Sequence, residues 1–225
     1  MHILDPYELT GMKPNHLGFG GLDRGVEFHE DKDCIQKLLK SEETLIVPVW
    51  RTLNLFSKIV GKEEKPLPVF LNVNEASSLI NISDQHVFLG RQKLAGKTPA
   101  YLAIDISELE KEEVEKRLVE WGSFKDLRKI SPLIDGVEGS ILAYARAMMY
   151  WHSRNQFCSV CGNPSKTSKC GHQRDCTNRE CDSSHFPRTD SAVDVARVTH
   201  HGKSPRRSYS LKLHACTRWI IAVFG

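Results

Sequence analysis

The chain has 225 residues, of which 40% are hydrophobic and 26% charged, and its formal net charge is +3. These figures describe an ordinary soluble globular protein of one large or two small domains. The charge is too small to argue for nucleic acid as a partner, and no run approaches the roughly 18 apolar residues of a membrane span.

Basic residues gather late. After Glu180 there is no glutamate, while Arg188, Arg197, Lys203, Arg206, Arg207, Lys212 and Arg218 accumulate. Only Tyr209 and Trp219 interleave them, so the aromatic stacking signature of nucleic-acid binding is thin. The opening Met1-His-Ile-Leu-Asp-Pro-Tyr-Glu8 has no basic region followed by an apolar core, and it is not arginine-rich. Neither a secretory signal nor a transit peptide is expected. The closing Ile220-Ile-Ala-Val-Phe-Gly225 is not a peroxisomal tripeptide. The expectation is an intracellular, cytoplasmic and reducing location.

In chain order, residues 1–30 are irregular, punctuated by Pro6, Pro14, Gly18, Gly20, Gly21 and Gly25. Asp31 to Lys40 reads as a short helix capped by Asp31 or Asp33, with Ile35, Leu38 and Leu39 on its apolar face. Thr44 to Trp50 reads as a strand, and Pro48 predicts that this strand is an edge or a strand end. Leu67–Asn72, His86–Gly90 and Ala100–Ile106 are three further strands, the last two joined as a hairpin through Ala95-Gly-Lys-Thr-Pro99. Residues 107–121 read as a helix with Ser107 as N-cap and Glu110 completing a capping box. Helical spacing returns over Val137–His152 through Ile141, Ala145, Met148 and His152. His152, at a helix end beside a cysteine-rich turn, is expected to be a packed or capping residue. Residues 1–152 thus predict one α+β domain of about four strands.

The stretch Phe157-Cys-Ser-Val-Cys-Gly162, followed by Cys176-Thr-Asn-Arg-Glu-Cys181, has the spacing of a four-thiolate zinc site. Two thiolates on one tight turn supply half a tetrahedron, and a second turn supplies the rest. Gly162 suits the first turn, because glycine tolerates positive φ. The second pair is C-x4-C, so this turn must bulge. Cys158, Cys161, Cys176 and Cys181 are the expected ligands, with Cys170 or His172 as alternatives for one of the second pair. A closed four-cysteine site is structural, since a catalytic zinc keeps one position open. Residues 153–190 are therefore expected to form a zinc ribbon. Beyond them, Ala192 to Val198 could begin a strand, and Trp219 to Phe224 is an apolar run with nothing after it to pair with.

Several short words in order carry a resemblance. They are Leu22-Asp-Arg24, Leu45-Ile-Val-Pro-Val-Trp-Arg51, Val87-Phe-Leu-Gly90, Ala143-Tyr-Ala-Arg146, Trp151-His-Ser-Arg154, Phe157-Cys-Ser-Val-Cys-Gly-Asn163 and Pro187-Arg-Thr-Asp190. Together they resemble the NADH pyrophosphatases, the NAD diphosphatase branch of the Nudix hydrolases. The animal peroxisomal type is most similar, because of the long second turn. The resemblance covers roughly residues 20–195. It implies an N-terminal α+β domain, a zinc ribbon and a Nudix α/β/α sandwich. It also implies a homodimer, and cleavage of NAD(H) at the pyrophosphate into NMN(H) and AMP, with removal of NAD caps from RNA in some members. By family, a peroxisomal or mitochondrial address is the alternative to the cytoplasm.

The sequence departs from the family at its chemistry. The Nudix box, G-x5-E-x7-R-E-U-x-E-E-x-G-U, projects glutamates from one helix to hold Mg2+ or Mn2+ against the pyrophosphate. After Glu180 only Asp182, Asp190 and Asp194 offer carboxylates, and these do not fall on such a helix. Familiar sequence ends just past Val193, so residues 191–225 read as the first strand of a truncated Nudix domain and an unrelated basic tail. No catalytic or NAD-binding residue is assigned. Two roles remain open: the family's hydrolase, expected to be inactive in this chain alone, or a non-catalytic zinc-binding module that pairs with a full-length member as a homodimer or heterodimer.

Overall fold

The structure, a computed structural model, describes Leu17, residues 21–58, 65–94 and 96–188, and the backbone of Ser191, Ala192, Arg218 and Trp219. Six strands form one mixed sheet: β1 (Thr44–Trp50), β2 (Leu53–Phe56), β3 (Leu71–Asn72), β4 (His86–Arg91), β5 (Ala100–Asp105) and β6 (Ser123–Lys125). The order is β4-β5-β1-β2-β6, with β3 also pairing to β1. β1 runs parallel to β5, and the other pairings are antiparallel.

The run Leu45-Ile-Val-Pro-Val is nearly continuous in apolar residues because both faces of β1 are covered. On one face Ile46, Leu55, Phe88, Leu102 and Ile104 pack with Leu38, Leu79, Val114 and Leu118 from the helices Cys34–Leu39, Ser77–Ile80 and Lys111–Leu118. On the other, Val47, Val49, Val87, Leu89, Tyr101 and Ala103 pack under Ile141, Leu142, Ala145, Met148 and Met149 of the long helix Gly136–Arg154. That helix starts where Asp135 accepts the Val137 and Glu138 N–H groups, a cap that contributes about 1 kcal/mol.

Four sequence expectations change. Pro48 does not mark an edge, because β1 lies between β5 and β2. The O atoms of Glu43 and Val49 accept from β5 and the residue after it, so the even-numbered residues of β1 point the other way. There β3 pairs with residues 45–46 and β2 with residues 49–50. Pro48 therefore presents its missing donor to the gap between two short strands. Second, Ser107 does not cap a helix. The helix begins at Lys111, and Ser107 instead bonds Asp105 and accepts from the Arg51 N–H at 2.8 Å. That contact holds the tight turn at Arg51 and Thr52, whose φ values are 47° and 66°. Third, Leu67–Asn72 contains only the two-residue strand β3. Fourth, the count of strands is six rather than about four.

A second, antiparallel sheet of three strands follows the long helix: β7 (Ser165–Ser168), β8 (Gln173–Cys176) and β9 (Ser184–His185). Near the C-terminal end, the backbone of Ser191–Ala192 pairs antiparallel with Arg218–Trp219, so Trp219 does have an earlier partner. Val193 to Val198, Asp190 and the rest of the basic tail lie outside the described residues. No helix among the described residues is long and apolar enough to cross a membrane.

Candidate metal centre

The three-stranded sheet positions two turns against each other. In the first, the Gly162 N–H bonds the Cys158 carbonyl at 2.9 Å, and the Cys158 N–H bonds the Asn163 carbonyl at 2.7 Å. Gly162 has φ 76° with open space where a Cβ would stand, so the glycine answers the backbone and not a steric contact. In the second, the two extra residues close a turn on Asn178, whose carbonyl accepts from Cys181 at 3.1 Å and Asp182 at 3.2 Å. This is the bulge expected of C-x4-C.

The four thiols of Cys158, Cys161, Cys176 and Cys181 converge, with all sulfurs within 4.8 Å of one another. Cys158 and Cys181 are 3.7 Å apart, and Cys161 and Cys176 3.4 Å. A tetrahedron of metal–sulfur bonds near 2.3 Å has edges of about 3.8 Å, so the spacing fits one tetrahedral ion. Three of the sulfurs also receive an amide donor. The Val160 N–H reaches Cys158, the Asn163 side-chain amide reaches Cys161, and the Asn178 N–H reaches Cys176, each at 3.4 Å. The Ser183 hydroxyl lies 3.1 Å from Cys181. The His185 Nε2 lies 3.3 Å from Cys158.

Without a cation the cage works against itself. Backbone donors at Cys161 and Val160 pull the Cys158 thiol down to about 6. Desolvation, reinforced by the neighbouring sulfurs, pushes Cys176 up to about 12. The first thiolate forms readily and the last is opposed by the others, which is the situation a divalent cation relieves.

Neither alternative ligand approaches the cage. Cys170 is bonded to Cys34 with a Cα–Cα distance of 6.2 Å. His172 Nε2 donates to the Phe88 carbonyl at 2.6 Å, and its ring stacks on His29 at 4.1 Å. Both belong to a seam that ties the three-stranded sheet to the mixed sheet and its helices. The bonded Cys34–Cys170 pair was not foreseen from a sequence expected to remain reduced. Nor was His185 beside the cage, although its signal was present: a histidine four positions after the last cysteine.

At the seam His152 is 3% exposed. Its Nε2 donates to the Gly171 carbonyl at 2.8 Å, and its Nδ1 accepts from Arg174 at 3.1 Å. It is a packed residue, as expected. Thr167 donates to Gln85 at 2.8 Å, and Lys169 pairs with Glu30. Lys169, Cys170 and Gly171 run through φ 50°, 53° and 95°. A Cβ on Gly171 would stand 2.7 Å from Val87 Cα and 2.8 Å from the His86 carbonyl oxygen. Gly171→Ala is expected to destabilise the protein by about 2–4 kcal/mol through strain and backbone clash, read as a lower urea midpoint. An unchanged midpoint would mean that the seam has slack the geometry does not show.

Residues 42–151 match the family model for the NADH pyrophosphatase-like rudimentary NUDIX domain. That span holds the whole mixed sheet and the helices from Ser77 onward, so the NUDIX-like match lies before the cysteines. Among curated relatives, the human NAD-capped RNA hydrolase NUDT12 is 36% identical over 69 residues, covering 28% of this chain and 15% of that protein. The human mitochondrial NAD(P)H pyrophosphatase NUDT13 is 39% identical over 70 residues, covering 31% of this chain and 19% of that protein. The chloroplastic Nudix hydrolase 19 of Arabidopsis thaliana is 34% identical over 56 residues, covering 25% and 13%. The chain thus spans less than a fifth of the length of the curated relatives it matches. The matched residues, just under half of the chain, and these partial relatives make the chain similar to the NADH pyrophosphatase branch of the Nudix proteins.

Proposed function

We propose that this chain is the non-catalytic portion of an NAD(H) pyrophosphate hydrolase: a rudimentary NUDIX domain joined to a structural zinc ribbon held by Cys158, Cys161, Cys176 and Cys181. The family reaction splits NAD(H) into NMN(H) and AMP, or removes an NAD cap from RNA. It needs Mg2+ or Mn2+ on several carboxylates that converge on the pyrophosphate. The observation that carries the reading is where the carboxylates go. The helix richest in glutamate, Lys111–Leu118, commits Glu113 to Arg117 and Glu115 to Lys111, one turn away. Among the described residues, the group of three or more potential ligands that converges is the four-cysteine cage.

The purified 225-residue polypeptide, supplied with NADH and Mn2+, is expected to release no AMP above a protein-free control. Losing a whole metal site removes most of a phosphoryl-transfer rate enhancement. Manganese-dependent AMP release by the chain alone would overturn the reading.

A second role is pairing with a full-length member of the family, as a homodimer or heterodimer. It is favoured by exposed apolar side chains around the cage: Phe157 at 64%, Val160 at 71% and Phe186 at 61% exposure. Co-elution with a full-length member on size exclusion is the expected result, and two separate peaks at micromolar concentration would count against it.

A further inference from the structure

The four sulfurs of the cage are not equally served by solvent. Cys161 is exposed, while Cys158 is 3% exposed. A thiolate cut off from water needs protein donors to offset its charge. One N–H from Val160 at 3.4 Å is the ordinary share, matched at Cys161 and Cys176 by one amide each. Cys158 has a second donor from a different strand, His185 Nε2 at 3.3 Å. On the far side of that ring, Nδ1 lies 3.5 Å from the Ser159 hydroxyl. With the Cys158 sulfur as a thiolate acceptor, Nε2 carries the proton that faces it, and Nδ1 then accepts from the Ser159 hydroxyl. His185 is held in turn by β9, whose backbone pairs with β8 at Arg174.

We propose that His185 is a positioning residue of the metal centre. It is not a fifth ligand. It donates Nε2–H to the Cys158 sulfur, offsets the charge on the most buried thiolate, and thereby ties β9 to the cage. The inference rests on the reading of the four cysteines as metal ligands. Outer-shell donors of this kind change metal affinity by about 10–100-fold.

The test compares the 225-residue chain with its His185→Ala and His185→Gln variants, each loaded with Zn2+ or Co2+. Glutamine can place an amide N–H near the position of Nε2. The expected result is zinc transfer to a chelator about 10–100-fold faster in His185→Ala, with most of the loss restored in His185→Gln. The cobalt ligand-field bands should remain those of four sulfurs in all three proteins. Equal transfer rates in wild type and His185→Ala would overturn the proposal. So would a His185→Gln protein as leaky as His185→Ala, since the effect would then not be the N–H. A cobalt spectrum that loses a nitrogen donor in His185→Ala would make His185 a ligand, and would also overturn it. A wild-type chain that takes up no metal would overturn this proposal and the metal reading together, so the two failures are distinguishable.

Discussion

Chelating the metal, or replacing Cys176 by serine, is expected to unfold the two cysteine turns and strip hydrogen-exchange protection from β7–β9. The reason is that residues 156–188 have no apolar core of their own. Their buried positions are Cys158, Ser165, Cys170, Gly171 and Arg174, none of them a large apolar side chain. Burial of apolar area, the dominant favourable term in folding, contributes little here. Binding of a structural zinc contributes about 10–16 kcal/mol to the folding of comparable small units, as much as the whole stability of an ordinary domain. The loss should be graded. The turns at Cys158–Cys161 and Thr177–Cys181, which carry the proposed ligands, should lose protection first. Residues 169–172 remain tied to the first domain by Cys34 and the Phe88 carbonyl, and should exchange last. Mass spectrometry of exchange after chelation reads this by segment. Full protection of β7–β9 in a metal-free sample would show that this sheet stands without an ion.

The second large effect is acid sensitivity at the seam. Burial holds His152 down to about 4, with the Arg174 and His172 charges acting the same way against the favourable Gly171 carbonyl. Burial, followed by His29, holds His172 at about 4 as well. An unfolded histidine binds its proton near 6.5. Between about 6.5 and 4 the unfolded chain therefore holds more protons than the folded one, and stability falls as the pH drops through that window. Above it, both states are neutral and neither histidine contributes a slope. Below about 4, both states are charged and the slope ends. Each shift corresponds to about 3 kcal/mol. A proton on His152 would also oppose the Arg174 guanidinium 3.1 Å away. Acid also loosens thiolate sites, so the direct reading is the ring itself. The His152 ring protons are expected to titrate near 4 by NMR. A midpoint near 6.5 would show that the ring is solvated and the seam open.

The parts legible in the sequence were those written in local pattern. The apolar run of β1, the hairpin from β4 to β5 and the helix over Gly136–Arg154 follow from periodicity and turn residues, since each is specified within a dozen positions. The convergence of Cys158, Cys161, Cys176 and Cys181 was legible for the same reason, as spacing on two turns. What escaped the sequence depends on partners far along the chain. Pro48 looked like an edge residue because the gap between β2 and β3 is a property of the register of two other strands. Ser107 looked like a cap because its real partner, the Arg51 N–H, is 56 residues away. Cys170 looked like a spare ligand because nothing near it points to Cys34, at a separation of 136. His185 carried a signal without a meaning, because a second donor to a buried sulfur is specified only once β9 folds beside the first turn. His152 was expected to be packed or capping and is packed, but its partner Arg174, 22 residues away, was not legible.

Cys158, Cys161, Cys176 and Cys181 are proposed, above all, to hold one ion. The most direct test is metal content of the purified chain, by elemental analysis beside the absorbance of its cobalt form. One zinc per chain, and cobalt bands of a four-sulfur tetrahedron, are expected. Substoichiometric zinc in a folded chain, or free reactivity of all four thiols toward a disulfide reagent, would contradict the account.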